Sequence, residues 1–196
     1  MGVAATGTAT RPMRADAVRN RARILAAATN AFAADGPDVP LERIAGCAGV
    51  GIGTLYRHFP DRQSLLTAVY REGLEGISEH GRQLLEADDP FAALRDWMTS
   101  HLAFDRTHQA LAASAIITML DNPDDEPPPC EEMKAVGQQL LDRAKAADAV
   151  RDDVSVEDLA RLVSAIALAA DGAPEGSCVC GDRLFDVMLD GLRPRA

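Results

Sequence analysis

A short segment near residue 50 brings together side chains that can hydrogen-bond to a nucleic acid. Its sequence is GVGIGTLYRHF, residues 49–59, and the glycines predict a tight turn followed by a short helix. If Leu55 and Phe59 face a core, helical spacing turns the polar side chains near them toward solvent. Those outward residues are Thr54, Arg57 and His58. A hydroxyl, a guanidinium and an imidazole on one exposed face can bind phosphates and base edges.

Two further side chains flank this face. Tyr56 and Arg62 lie where a phenol hydroxyl and a second guanidinium can reach a phosphate. At about 1.5 Å per residue, the segment 51–58 is roughly 12 Å long, comparable with the width of the major groove of B-DNA. A helix, a glycine turn and a second helix form the helix-turn-helix arrangement, whose second helix lies in that groove. We therefore expect residues 51–58 to form a recognition helix.

The rest of the chain must position this helix, and its apolar periodicity predicts an all-α fold of about nine helices. A first helix near 17–34 is expected to stop at Gly36-Pro37, and the next to begin at Pro40. Asp61 is placed to cap a long fourth helix. Further helices are expected from Pro90 and near 108–120, 130–147, 155–171 and 179–192.

The negative charge of the whole chain conceals a basic N-terminal part. The chain has 196 residues and a formal net charge of −10. Residues 1–70 carry +3 and residues 71–196 carry −13. Because Lys and Arg drive phosphate binding, this asymmetry predicts a modestly basic contact module joined to an acidic body.

Residues 40–70, PLERIAGCAGVGIGTLYRHFPDRQSLLTAVY, preceded by ILAAATNAFAADG at 24–36, resemble the tetracycline-repressor (TetR) family of bacterial one-component regulators. The likeness implies a helix-turn-helix DNA-binding domain within an all-α fold. We place a flexible basic arm at 1–15, the DNA-binding domain at 16–64 and a ligand-binding and dimerisation domain at 65–196. The resemblance implies base-edge contacts at Ile52, Gly53, Thr54 and Arg57, and phosphate contacts at Tyr56, His58 and Arg62.

The chain departs from the family pattern at the start of the recognition helix. Gly51 and Ile52 stand where family members often have Ser and Lys, which removes one helix cap and one cation. We expect basic residues nearer the N-terminus to restore part of the phosphate attraction, along the backbone or in the minor groove. They are Arg11, Arg14, Arg19 and Arg21.

A small-molecule cavity is predicted in the larger domain, lined from one helix and its neighbours. The candidates are Trp97, Met98, His101, Phe104, Ile117, Met119 and Met133. Core packing is the alternative explanation for each of them. Trp97 and His101 are favoured as ligand contacts because a polar edge inside an apolar wall orients a ligand.

The last two predicted helices carry broader apolar faces than one neighbour covers. Their residues are Leu159, Leu162, Val163, Ile166, Leu184, Phe185, Met188 and Leu192. The resemblance implies that this helix pair meets its twin in a four-helix dimer interface. A two-fold dimer presents two recognition helices to a palindrome.

The sequence thus predicts a homodimeric regulator, most simply a repressor that leaves a palindromic DNA operator when a small molecule binds the C-terminal domain. One alternative is a helical small-molecule-binding protein with weak or lost DNA binding, and another is a thiol sensor acting through Cys178 and Cys180. We expect no enzyme activity, cofactor or metal, since the pattern Cys-Val-Cys lacks zinc-site spacing and no catalytic motif is found.

The location of the protein is also predicted from the sequence. The longest apolar runs are about ten residues, against the roughly 20 that cross a bilayer. The first ten residues lack the basic start and apolar segment of a secretory signal. We therefore expect a cytoplasmic protein with no membrane partner, whose four cysteines are reduced.

Overall fold

The computed structural model describes residues 10–121, 129–171 and 181–194, with side chains over 15–108, 130–169 and 181–194. All regular structure in these ranges is helical, which confirms the all-α prediction. The helices are α1 (Thr10–Asp35), α2 (Leu41–Ala48), α3 (Ile52–His58), α4 (Arg62–Leu84), α5 (Pro90–Asp121), α6 (Pro129–Ala146), α7 (Val156–Asp171) and α8 (Gly181–Gly191).

The chain divides into two compact units, and the division falls within α4. Unit 1 is Met1–Val69 and unit 2 is Tyr70–Ala196. The boundary predicted from the sequence lies five residues earlier, at 64–65. No helix in the described part of the chain is both long and apolar enough to cross a membrane.

Unit 1 is a three-helix cluster in which α1 packs on α2 and α3. Ile24 of α1, Ile44 of α2 and Leu55 of α3 are completely buried. Each helix therefore contributes at least one large aliphatic side chain to a shared core, and burial of such a side chain is worth about 1.5–3 kcal/mol. This core sets the orientation of the short α3.

The first helix starts earlier than the sequence predicts. It begins at Thr10, so residues 10–15, which the sequence analysis placed in the arm, are helical, while residues 1–9 lie outside the described range. Pro12 is compatible with this start because a residue in the first turn has no helical hydrogen bond to lose. The surrounding Ala, Met and Arg residues are strong helix formers.

Unit 2 is organised around α5, which packs against α6 and α7, and α7 in turn packs against α8. Its centre is Trp97, the one tryptophan of the chain, which is completely buried. A Cβ atom at Gly81 would lie 2.8 Å from Cδ1 of the indole, and one at Gly137 would lie 2.6 Å from Cζ2. Glycines on α4 and α6 therefore make room for the Trp97 ring.

Two helices expected near 90–120 form a single one. The helix α5 runs unbroken for 32 residues, which gives eight helices in the described ranges rather than about nine. No Gly or Pro follows Pro90 before residue 121. At the predicted break, Thr107 donates through Oγ1 to the carbonyl of Ala103 at 2.8 Å, so its hydroxyl follows the helix instead of interrupting it.

The helix cap predicted at Asp61 is confirmed, and a reciprocal cap precedes α7. The backbone N–H of Ser64 donates to Asp61 Oδ1 at 2.7 Å at the start of α4. Before α7, the N–H of Asp158 donates to Ser155 Oγ at 3.1 Å, and the N–H of Ser155 donates to Asp158 Oδ2 at 3.0 Å. Such reciprocal bonds satisfy helix-end donors that would otherwise be unpaired.

Among the cysteines that the structure describes, Cys47 and Cys130 are free thiols. Cys178 and Cys180, the predicted alternative thiol sensor, lie outside the described residues. The acidic, proline-rich stretch 122–128 also lies outside them.

Candidate nucleic-acid interface and a buried polar cluster

A glycine turn sets the angle between α2 and α3. Gly49 has φ +63°, in the left-handed region that favours glycine. The N–H of Gly49 donates to the carbonyl of Gly46, and that of Val50 to the carbonyl of Ala45, both at 3.0 Å. This pair of bonds is the Schellman closure of a helix end. It stops α2 abruptly and allows α3 to begin three residues later.

The short α3 displays the residues predicted to contact DNA. Leu55 is completely buried in the core of unit 1, whereas Tyr56 is 46% exposed. Arg57 and Gly53 are exposed, and Ile52, Thr54 and His58 are half-buried. None of these residues is packed beneath another helix, so the face predicted from the sequence is open to solvent.

The charge of this face is positive. The last turn of α3 carries Arg57 and His58, and its first turn carries no acidic residue. Within the described ranges, Arg57 forms no ion pair with a carboxylate. Its guanidinium therefore keeps its five donors available, in the fork geometry that suits phosphates and guanine edges.

Arg62 has a structural task that the sequence did not reveal. Its Nη1 donates to the carbonyls of Pro37 and Val39, both at 2.7 Å. Arg62 thereby fastens the start of α4 to the segment between α1 and α2. The phosphate contact predicted for Arg62 stays a prediction, since the guanidinium also carries N–H donors on Nε and Nη2.

Three arginines of α1 have different environments. Arg19 pairs with Asp16, and Arg23 Nη2 donates to the carbonyl of Gly49 at 3.3 Å. The guanidinium of Arg21 lies over the ring of Phe59, 5.4 Å from its centre. No ion pair links Arg21 to a carboxylate in the part of the chain described. Arg21 is thus an available cation held beside the C-terminal end of α3.

The residues predicted to line a ligand cavity lie within the core of unit 2. Ile117 and Met119 have side chains outside the described range. The other five share one buried cluster, with Trp97 and Met98 completely enclosed. They are Trp97, Met98, His101, Phe104 and Met133. Their ligand role remains a prediction, and core packing accounts for the apolar members.

Polar side chains interrupt this core along one face of α5. His101 and His108 are only 5% and 7% exposed, and Asp105 lies between them. His101 Nε2 is 3.5 Å from Asp105 Oδ2, and Ser164 of α7 donates to the same oxygen at 2.6 Å. We call His101, Asp105, His108 and Ser164 the α5 polar cluster. Sequence reasoning found only His101, although spacings of four and seven residues signal one helix face.

Burial controls the protonation of this region. It lowers the pKa of His101 and of His108 below the usual 6.5, so both imidazoles are neutral at pH 7. Burial, together with the nearby charge of Asp105, raises the pKa of Tyr70 to about 12. The Tyr70 hydroxyl therefore keeps its proton.

The two C-terminal helices combine buried and exposed apolar residues. Leu159 and Val163 are completely buried inside the subunit, which removes them from the predicted dimer interface. Leu162, by contrast, is 44% exposed, and Val187 is 61% exposed. They line a groove of about 810 Å³ with Ala165, Ile166, Leu184, Met188 and Leu192, called here the α7–α8 groove. Phe185 is buried on the inner side of α8.

Two protein families match this chain. Residues 89–194, more than half of it, match the family described as "Transcriptional regulator SbtR-like, C-terminal domain". Residues 24–69 match "Bacterial regulatory proteins, tetR family". The chain belongs to the tetR family. This membership confirms the resemblance drawn from residues 24–70, and it places the chain in a family of transcriptional regulators.

Solved structures resemble nearly the whole of this tetR-family regulator. The TetR transcriptional regulator SCO0520 from Streptomyces coelicolor is 35% identical with a TM-score of 0.71, covering 90% of this chain and 99% of the other. A TetR transcription regulatory protein from Mycobacterium vanbaalenii is 34% identical with a TM-score of 0.67, covering 93% and 100%.

Curated relatives match over a shorter stretch. An HTH-type transcriptional regulator of Staphylococcus aureus is 40% identical over 73 residues, which is 37% of this chain. The match covers 40% of the length of that relative.

Proposed function

We propose that this tetR-family regulator is a repressor that binds a palindromic DNA operator as a homodimer and is released when a small molecule binds unit 2. The observation that carries the proposal is the display of α3. Leu55 is completely buried, while Tyr56 and Arg57 project into solvent on a basic surface. A helix held this way can enter a major groove without rearrangement.

Each residue of the α3 face has a proposed contact. The first turn, with Ile52, Gly53 and Thr54, lies closest to the base edges, because N-terminal residues of a recognition helix make those contacts. Arg57 binds a base edge, and a bidentate guanidinium on guanine is the commonest such pairing. Tyr56 and His58 bind flanking phosphates and set the register.

Arg21 adds a phosphate contact that compensates for the departure at Ile52. Its guanidinium lies against Phe59, which limits the conformations it must give up on binding DNA. Because it is placed beside the end of α3, it can reach the backbone next to the groove that α3 enters. In this account Arg21 supplies part of the phosphate attraction that is missing at Ile52.

Dimerisation is proposed through the α7–α8 groove. Exposed Leu162, Leu184 and Val187 concentrate apolar surface on one side of unit 2. Isolated exposed apolar residues are ordinary, but a contiguous group marks an interaction surface. The groove also includes Asp158 and Arg161, and a two-fold axis would bring each near the opposite charge on the other copy.

Release of DNA requires a ligand that discriminates between arrangements of the dimer. A compound with equal affinity for both arrangements would not change the equilibrium between them. A coupling of about 1–3 kcal/mol changes operator affinity roughly 5- to 150-fold. The helix α4 belongs to both units and is the covalent route for this coupling.

Selection of bound sequences from random double-stranded DNA by the purified protein tests the proposal. We expect an enriched sequence with two-fold symmetry. Enrichment of a sequence without symmetry would refute the dimeric operator complex. If no sequence is enriched, sequence-specific DNA binding is refuted.

A second candidate is a helical small-molecule-binding protein with weak DNA affinity. It is favoured by one observation: α3 has no side-chain cap at Gly51, where a Ser would hydrogen-bond to the first turn. Under this alternative the same selection would recover no defined sequence, while small molecules would still stabilise unit 2.

A further inference from the structure

Three ring nitrogens on one face of α5 are buried without a hydrogen-bond partner among the residues described. They are Trp97 Nε1, His101 Nδ1 and His108 Nε2. Residues four and eleven positions apart lie on nearly the same face of a helix, so the three side chains come from one stretch of α5 about 16 Å long. A buried polar atom without a partner is costly to the folded state. Three such atoms from one helix face indicate a site for polar groups of a ligand.

The partner of His101 determines what its unpaired nitrogen can do. Nε2 lies 3.5 Å from the carboxylate oxygen of Asp105. In the neutral imidazole the proton must be on Nε2, because two facing lone pairs would repel. Nδ1 is therefore left as a hydrogen-bond acceptor.

The same reasoning applies to His108 through a different partner. Its Nδ1 lies 3.0 Å from the carbonyl oxygen of Phe104, which can only accept. The proton must then be on Nδ1, and Nε2 is the free acceptor. Two histidines on one helix face thus share the same feature, an unprotonated ring nitrogen that can accept a hydrogen bond.

The surroundings of these acceptors are aromatic and contain a carboxylate. The ring of His108 stacks on that of Phe104 with their centres 4.5 Å apart, and the ring centre of Tyr70 on α4 lies 5.2 Å from that of Phe104. Trp97 and His101 have ring centres 6.0 Å apart. Asp105 adds a third acceptor group, and its negative charge disfavours an anionic ligand.

We propose that the α5 polar cluster binds an aromatic effector, a phenol or an aromatic amine, that donates a hydrogen bond to His108 Nε2. A larger effector with a second donor would also pair with His101 Nδ1. This assignment rests on the proposed function, in which unit 2 binds the effector. The ring of the effector contacts the aromatic side chains of α4 and α5. A carboxylate ligand is excluded by Asp105, and a ligand with acceptors alone leaves both histidines unpaired.

Phenol, anisole and benzoate are matched probes for this chemistry. They share one ring, and only phenol donates a hydrogen bond, while anisole only accepts and benzoate is an anion. Binding to the purified full chain is measured by calorimetry and by the emission of Trp97, the one tryptophan. We expect phenol to bind at least about tenfold more tightly than either other probe.

Substitutions separate a binding role from a structural one. His108→Phe keeps a ring against Phe104 but removes Nε2, so phenol affinity should fall to that of anisole while stability to urea is not reduced. His108→Gln restores an acceptor and should recover part of the affinity. His80→Phe is the matched control, because His80 is a partly exposed histidine of α4 outside the cluster.

The outcomes decide between this inference and the function on which it rests. Equal binding of phenol and benzoate, or no phenol binding by the folded chain, overturns the effector chemistry, and so does unchanged phenol affinity in His108→Phe. If that variant does not fold, His108→Gln and the three probes on the unaltered chain still give the decision. Operator binding is measured separately without probes, and its absence overturns the repressor proposal alone.

Discussion

At the scale of single residues, two arginines near α3 have the same chemistry and different tasks. Arg57 faces solvent, whereas Arg62 donates to the carbonyls of Pro37 and Val39. The family motif predicted both as DNA contacts, because a motif records residue type and spacing. The carbonyl partners of Arg62 lie more than 20 positions away, so no local pattern could reveal them.

Arg57→Ala should weaken operator binding and leave the fold intact. Loss of a guanidinium at a base edge costs about 1–3 kcal/mol, roughly 5- to 150-fold in affinity. Arg62→Ala should instead lower the free energy of unfolding, because two carbonyls lose their donor. Fluorescence anisotropy with labelled operator and urea unfolding separate the two effects. Arg183→Ala, an exposed arginine of α8, is the control and should change neither.

Arg21→Ala tests the proposed backbone interaction. The slope of log affinity against log salt should become shallower by about 1 for each phosphate that the variant no longer neutralises. Arg19→Ala is the matched control, since Arg19 is exposed on the same helix but pairs with Asp16. Equal salt slopes in the two variants would contradict a specific role for Arg21.

At the scale of elements, the sequence predicted the α2–turn–α3 unit well because its signals are local. Glycines mark the turn, and Leu55 and Phe59 mark the buried side of α3. The prediction failed along α5, where two helices were expected instead of one. The stretch around Asp105 remains helical because Asp105 and His108 turn inward to partners on α7 and α5. Tertiary partners of this kind are not visible in helix periodicity.

Gly49→Ala should destabilise unit 1 and weaken operator binding together. The residue has φ +63°, and its Cβ would collide with the guanidinium of Arg23. A non-glycine residue in this region costs about 1–2 kcal/mol. Gly46→Ala is the control, because its Cβ meets open space within α2 and should add about 0.5–1 kcal/mol of stability. Thermal unfolding and operator titration measure both, and equal effects would refute a special role for the turn.

At the scale of the whole molecule, charge and apolar surface are divided between the two units. The basic surface of α3 is in unit 1, and the exposed apolar residues of the α7–α8 groove are in unit 2. The sequence predicted the division of charge from the charge asymmetry, and the apolar surface from the last two helices. It did not separate the buried Leu159 and Val163 from the exposed Leu162 and Leu184, because both sides of α7 and α8 are apolar.

Val187→Glu should produce a monomer that has lost most operator affinity. A carboxylate in the apolar groove would be desolvated next to its counterpart in the partner, which prevents association. Val18→Glu is the matched control, since Val18 is 68% exposed on α1 and the same charge there should leave assembly unchanged. Sedimentation at micromolar concentration gives the mass. A dimer in the Val187 variant would show that the subunits meet elsewhere.

Acidification should destabilise the protein through His101 and His108. Burial lowers their pKa values below 6.5. Below about pH 6.5 these two histidines therefore bind more protons in the unfolded chain than in the folded chain. Their contribution to stability is constant above that pH and is lost progressively as the pH falls toward the lowered values. Urea unfolding at a series of pH values measures the slope. The double variant His101→Phe/His108→Phe should flatten it, and an unchanged slope would contradict this assignment.

The central claim is that α3 places Arg57 and its neighbours in a DNA major groove, and methylation interference on the selected operator tests it most directly. Methylation of guanine N7 blocks the major groove edge without changing the minor groove. We predict that N7 methylation in each of two half-sites, about 34–36 Å apart, abolishes binding of the unaltered protein. The residual operator binding of Arg57→Ala should be less sensitive to the same methylation. Binding that tolerates N7 methylation at every guanine and fails only on methylation of adenine N3 in the minor groove would contradict the account.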